Sequence, residues 1–132
     1  MSKPLILSAL LTAMIAQPAL ARPALRDVAE VRDGIVAVGI AYEISEKCAT
    51  IRPRILRGIG YLNGLKSRAL ELGYSEEEID AFVNDAGEKA RLEAMARARL
   101  VELGARAGDP ESYCALGRAE IARDSAVGRL LR

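Results

Sequence analysis

The 132-residue sequence contains no histidine and no tryptophan, and it has a single phenylalanine. Without histidine, the chain cannot build a Ser-His-Asp or Cys-His catalytic site, a His-ligated zinc site or a c-type haem attachment. GxGxxG, Walker A, HExxH and calcium-loop motifs are also missing. We therefore predict no metal and no cofactor, and carboxylate chemistry is the main catalytic option that remains.

The first 21 residues have the three-part pattern of a secretory signal peptide. Lys3 provides a short basic start, residues 5–16 form an apolar run, and small residues lead to Ala21. A membrane anchor would need about 20 apolar residues, so this run is too short to span a bilayer. We expect export to the periplasm, or secretion, with cleavage after Ala21. Residues 22–132 then form one small domain.

Charge in the expected domain is balanced, because 18 basic residues remain beside 18 acidic ones once Lys3 is removed. A neutral domain has no overall field that would draw it to nucleic acid or to anionic lipid. The densest basic cluster is IRPRILRG, with Arg52, Arg54 and Arg57. These arginines are candidates for contact with an acidic partner or a phosphate, although exposed helix charges need no function.

Cysteine is scarce, with Cys48 and Cys114 the only two in the chain. In an oxidising compartment an even pair favours a disulfide. Two free buried thiols and a redox-active pair are the alternatives, whereas a metal site would need further ligands that the sequence does not place nearby. A disulfide closing a loop of this length would stabilise a small domain by up to ~4 kcal/mol.

The apolar residues recur at helical spacing throughout the domain, and no strand pattern stands out. This predicts an all-α bundle of four or five short helices, cross-linked by one disulfide. The first helix is expected from about Arg32 to Cys48, and the second begins near Pro53. The second helix has Gly60 and Gly64 at a spacing that permits a close helix crossing. Its expected buried stripe is Ile55, Ile59, Leu62, Leu65, Ala69 and Leu72.

Capping signals mark the later helices. In GYSEEEI, Ser75 and Glu78 have the spacing of a capping box and predict a helix start. Asp85 either breaks this helix or leaves it continuous over residues 76–103. In GDPESYC, Asp109 is the expected N-cap and Pro110 the first residue of the last helix.

Glu120 lies among apolar residues in LGRAEIA. It either pairs internally with an arginine or lines a pocket. The missing catalytic constellations favour a non-catalytic binding or interaction protein, with no catalytic residue assigned. A small carboxylate-dependent hydrolase using Glu120 is one alternative. A periplasmic stress chaperone is another, because the domain is small, neutral and disulfide-bonded.

Three segments of the chain resemble a known family: GYLNGLKSRALELGYSEEEIDAFV, EKARLEAMARARLVELG and DPESYCALGRAEIARDSAVGRLL. The family consists of small exported proteins from Rhodobacter-type alphaproteobacteria and is defined only as a domain of unknown function. The resemblance extends from about Val31 onward. It implies a periplasmic helical domain in which Cys48 and Cys114 are paired, and it implies no activity, cofactor or catalytic residue.

Overall fold

The computed structural model describes residues 21–132. The predicted signal peptide lies outside the described residues except for Ala21. The described part contains five α-helices and no strand, so the predicted all-α fold is confirmed. The helices are α1 (Ala29–Lys47), α2 (Ile55–Glu71), α3 (Glu76–Asn84), α4 (Ala86–Glu102) and α5 (Pro110–Ala122). Short 3-10 turns cover Leu25–Asp27 and Gly128–Leu130.

Helix α1 is the central element and packs against α2, α4, α5 and both 3-10 turns. It carries two apolar stripes, and in each the residues follow the i, i+3, i+4, i+7 spacing of one helix face. The second stripe is displaced by two residues, which is about 200° around the helix axis, so the stripes lie on opposite sides. The buried stripe is Ala37, Ile40, Ala41 and Ile44. The other stripe, which is only partly buried, is Ile35, Val38, Gly39 and Tyr42.

The buried stripe of α1 belongs to the main core, which also receives residues from α4, α5 and the C-terminal segment. The Cys48–Cys114 disulfide lies in this core and joins the end of α1 to the first half of α5, with a Cα–Cα distance of 5.1 Å. Close packing extends to Gly117 of α5, where an added Cβ would lie 2.5 Å from Ile51 Cδ1 and 2.8 Å from Ile44 Cγ2. Covalent linkage and tight packing therefore coincide on this side of α1.

A second, smaller core cluster lies where the N-terminal half of α1 meets the end of α2 and the start of α3. It consists of Leu25, Val31, Ala69, Tyr74 and Ile79. The predicted capping box is present, because the Ser75 hydroxyl accepts from the Glu78 N–H and the Glu78 carboxylate accepts from the Ser75 N–H. Asp85 ends α3, and its side chain caps α4 by accepting from the Glu88 N–H. Residues 76–103 therefore form two helices and not one continuous helix.

The expected burial of the α2 stripe is wrong for most of its length. Among the residues of α2, Ala69 is buried, whereas Ile55, Ile59 and Leu62 are exposed. Helix α2 contacts α1 through its second half, where Leu65 packs so close to Gly34 that an added Cβ there would meet it at 2.7 Å. In the first half of α2, Tyr61 packs against the main core, whereas Ile55, Leu56, Ile59 and Leu62 are left uncovered.

The glycine spacing in α2 also failed to predict a crossing inside the domain. Nothing lies within 4 Å of a Cβ built at Gly60 or at Gly64. Pro53, expected in the first turn of α2, instead precedes the helix and pairs with Leu131 in an isolated β-bridge. The C-terminal segment therefore approaches the start of α2 through its main chain.

Candidate binding surfaces

An apolar cleft of about 410 Å³ opens between α1, α2, α3 and α4. Its α1 wall is the second apolar stripe of that helix. From the other helices it receives Leu62, Phe82, Val83, Leu92 and Ala96. The cleft is hereafter called the apolar cleft, and its volume is within the range of about 300–1,000 Å³ that is common for ligand sites.

The walls of the apolar cleft are uncovered. Val83 of α3 is 62% exposed and Tyr42 of α1 is 58% exposed, although both are apolar side chains at the mouth of a concave surface. Leu62 belongs to both the cleft and the α2 stripe, so the apolar surface continues from the cleft along α2 towards Ile59 and Ile55. A continuous exposed apolar surface of this kind is typical of an interaction site.

Charged residues of both signs line the apolar cleft. They are Glu43, Lys89, Glu93 and Arg97. Glu93 and Arg97 are one helical turn apart on α4 and form a 4.0 Å ion pair. A mostly apolar lining with a few charged side chains is typical of binding clefts.

The three arginines predicted as a contact site lie at the start of α2, beside the C-terminal segment. The Arg52 N–H donates to the Arg132 carbonyl at 2.8 Å, and the Arg52 carbonyl accepts from the Arg132 N–H at 2.9 Å. The Arg54 Nε donates to the Leu131 carbonyl at 3.0 Å. This pairing adds two arginines that the sequence analysis did not associate with the cluster. The resulting basic patch consists of Arg52, Arg54, Arg57, Arg129 and Arg132.

Glu120 is 5% exposed and lies on α5. Its carboxylate accepts hydrogen bonds from the Arg123 guanidinium and the Ser125 hydroxyl. Ser125 Oγ in turn accepts from the Gly128 N–H at 2.9 Å. Glu120 therefore connects α5 to the turn that precedes the C-terminal segment, and it is not among the residues that line the apolar cleft.

Two carboxylates with shifted pKa values lie at helix starts and outside the apolar cleft. The backbone N–H of Ser75 holds the pKa of Glu78 below its usual value, with Arg22 contributing and desolvation opposing. The pKa of Asp109 is also below its usual value, mainly because the Arg106 side chain donates a hydrogen bond to its carboxylate, and desolvation again opposes the shift. Both shifts arise from capping and ion pairing and are structural in origin.

Residues 21–132 hold no group of three or more side chains suited to binding a metal ion. Over the same residues, no helix combines the length and the apolar character needed to cross a membrane.

The sequence analysis missed the apolar cleft, although the signal was present. Residues 35, 38, 39 and 42 repeat the spacing of the buried stripe, and a helix that is apolar on two sides needs two packing partners. The sequence analysis placed the first helix but did not compare its two sides, so the second stripe was overlooked. The spacing of Phe82 and Val83 could not have identified the cleft, because spacing does not reveal which apolar faces stay uncovered.

These features define the chain as an all-α, disulfide-linked domain with an open apolar cleft. A family model described as a family of unknown function (DUF5333) matches residues 23–132, and the chain belongs to this family. No curated protein and no solved structure matches the chain.

Proposed function

We propose that the protein is a non-catalytic binding protein that holds an apolar segment of a partner protein in the apolar cleft. The observation that carries the proposal is the open cleft between α1, α2, α3 and α4, whose apolar walls include exposed Tyr42, Leu62 and Val83. A partner that buries these side chains removes apolar surface from water, and the binding free energy becomes more favourable by roughly 25 cal/mol for each Å² buried.

The shape of the surface favours a protein segment over a compact small molecule. The apolar surface extends out of the cleft along α2, through Leu62 to Ile59 and Ile55. An amphipathic helix fits such an elongated groove by inserting side chains at i, i+3 or i+4, and i+7. The cleft also carries Glu43 and Lys89, which suits a segment with interspersed charges of both signs.

The expected location in the periplasm is also part of the proposal. It rests on the sequence pattern of residues 1–21. The Cys48–Cys114 disulfide supports it, because such bonds persist in oxidising compartments.

The two alternative functions are supported differently. The hydrolase would need a free carboxylate at Glu120, and the hydrogen bonds from Arg123 and Ser125 give it no support. A chaperone would also use exposed apolar surface, but it would bind unrelated clients. The mixed charges of the apolar cleft favour selective binding, because mismatched charges reject wrong partners.

A peptide-display selection on the disulfide-bonded protein tests the proposed function. We expect enriched peptides to share apolar residues at helical spacing and to bind in direct titrations by calorimetry. Val83→Asp places a charge in the apolar wall and should weaken binding about tenfold or more. Val83 is well exposed, so this substitution should leave the fold intact.

Val101→Asp is the matched control, because Val101 is also an exposed valine and does not line the apolar cleft. It should leave peptide binding unchanged. Failure to enrich any apolar peptide, or equal loss in both variants, would count against the cleft. Suppression of aggregation of unrelated proteins, lost with Val83→Asp, would favour the chaperone instead.

A further inference from the structure

A second surface, at the opposite end of the α2 stripe from the apolar cleft, combines exposed aliphatic side chains with arginines. Leu56 is 85% exposed and Ile55 is 62% exposed. Together with Pro53, Arg54, Arg57 and Arg132 they line one shallow depression. It shares Ile55 with the apolar surface that extends from the cleft, but Leu56 and the arginines belong to this surface alone, so it does not depend on the proposed function of the apolar cleft.

No acidic side chain lies in the two segments that build this surface. Residues 49–70 and 125–132, which together build it, contain no aspartate and no glutamate. The other basic residues of the first segment, Lys66 and Arg68, form ion pairs near the far end of α2. In contrast, no side chain of the basic patch is in a salt bridge within residues 21–132. The patch therefore presents a local positive field although the domain is neutral overall, and that field acts over about 10 Å.

The start of α2 adds to this field. Its first turn has no acidic residue, and no side chain caps its N–H groups. The positive end of the helix dipole then points towards the same side as the arginines. The other four helices each carry at least one acidic residue in the first turn.

We propose that the basic patch, with Ile55 and Leu56, docks the protein onto an anionic lipid surface. Guanidinium groups bind lipid phosphates through paired hydrogen bonds, and aliphatic side chains between them enter the boundary of the acyl chains. Leu56 stands out from the surface and needs no matching pocket in a fluid bilayer. This combination of protruding aliphatic side chains and arginines that form no salt bridge within residues 21–132 favours lipid over an acidic protein.

Nucleic acid fits the surface less well. Proteins that bind single strands stack bases on aromatic side chains. The depression between Arg54, Arg57 and Arg132 is lined by aliphatic residues and no aromatic one. A nucleic acid would contact the arginines through its phosphates, but the exposed leucine and isoleucine side chains would remain in water. The aliphatic half of the surface would then have no role.

Vesicle co-sedimentation tests the proposal. The disulfide-bonded protein is mixed with vesicles of phosphatidylglycerol and phosphatidylcholine, or of phosphatidylcholine alone. We expect binding to the anionic vesicles that weakens with added salt, and at least tenfold weaker binding to the neutral ones. Comparison of variants with the same N-terminus removes any contribution of residues 1–21.

Two variants test the two halves of the surface. Arg52→Gln/Arg57→Gln removes two exposed charges and should weaken binding to anionic vesicles about tenfold or more. Leu56→Ser should weaken it by a similar factor, because the inserted side chain is lost. Both substitutions are at exposed positions, and circular dichroism should show unchanged helix content.

Each control variant loses the same number of charges, or the same kind of aliphatic side chain, as the patch variant with which it is compared. Arg99→Gln/Arg118→Gln removes two exposed charges elsewhere, and Val101→Ser removes an exposed aliphatic side chain from α4. Both should bind as the original protein does. The proposal is overturned if the protein ignores anionic vesicles, binds both vesicle types equally, or retains binding in the patch variants. Binding of polyglutamate in place of vesicles would show an acidic protein partner and would overturn it as well.

Discussion

The two sides of α1 are built differently. On the α5 side, the buried stripe of α1 packs into a main core that contains the Cys48–Cys114 bond and leaves no room for a Cβ at Gly117. On the α2 side, the neighbouring helix buries only Ala69 and has open space around Gly60 and Gly64. The α5 side is closed and covalently fixed, whereas the α2 side is tightly packed where Leu65 meets Gly34 and exposes apolar surface along the first half of α2.

This difference explains how a small domain can leave apolar surface uncovered and remain folded. A domain of about 110 residues buries only around two-thirds of its unfolded surface, so its stability is modest. The disulfide on the α5 side compensates by reducing the freedom of the unfolded chain. The apolar cleft lies on the α2 side, which is the side that we propose for binding, and the basic patch lies at the start of α2.

The largest expected effect concerns the covalent link. Cys48→Ser/Cys114→Ser should lower the free energy of unfolding by about 4 kcal/mol, because the bond closes a loop with a sequence separation of 66. Urea unfolding followed by circular dichroism measures the loss. Reductant should destabilise the original protein by the same amount and leave the variant unaffected. A variant as stable as the original would contradict the contribution assigned to this bond.

A pair of alanine substitutions compares the two sides directly. Gly117→Ala should destabilise the fold by about 1–3 kcal/mol, because the new Cβ overlaps Ile44 and Ile51 in a packed core. Gly60→Ala should stabilise it by up to about 1 kcal/mol, because alanine favours a helix and meets no neighbour there. Both sites are in helices, so thermal and urea unfolding of the two variants isolate the packing difference.

Gly64→Ala serves as a second probe of the open side, and its effect should match that of Gly60→Ala. Destabilisation by both α2 variants would show that α2 is covered within the folded domain, and the comparison between the two sides would then fail. If they stabilise the domain but weaken peptide binding, a partner approaches α2 closely along this face.

Local signals in the sequence predicted much of the fold. The capping box at Ser75 and the N-cap at Asp109 act within one helical turn, so they are readable without tertiary information. The break at Asp85 was ambiguous, because a continuous helix with an exposed aspartate has the same pattern. The structure resolves it through the bond from the Glu88 N–H to Asp85.

Candidate binding surfaces were harder to predict, because they depend on what remains uncovered after packing. The spacing of Ile55, Ile59 and Leu62 indicates an apolar face but not whether another helix covers it. The basic patch shows the same limit, because Arg129 and Arg132 join Arg52 only through long-range main-chain pairing. Such pairings leave no local pattern in the sequence.

Low pH should weaken helix capping on both sides of α1, because a carboxylate caps one helix on each side. Glu78 caps α3 on the α2 side, and Asp109 caps α5 on the other; both have pKa values held below the usual ones. A lowered pKa adds stability that is present above the unfolded pKa of about 4 and is lost as the pH falls through the folded value. Both caps therefore weaken in acid, but only α5 is also held by the disulfide.

The smallest effect that we expect is a difference in local opening between the two sides of α1. As the pH falls below about 4, α3 should open before α5. Hydrogen exchange with mass spectrometry should show α3 amides losing protection first, because Ile79 is the one buried residue of that helix. Glu78→Gln should flatten the pH dependence of α3 and leave that of α5 unchanged, whereas Asp109→Asn should do the reverse. Simultaneous loss of protection in both helices would show that the domain opens as one unit, and the proposed difference between the two sides of α1 would not extend to its dynamics.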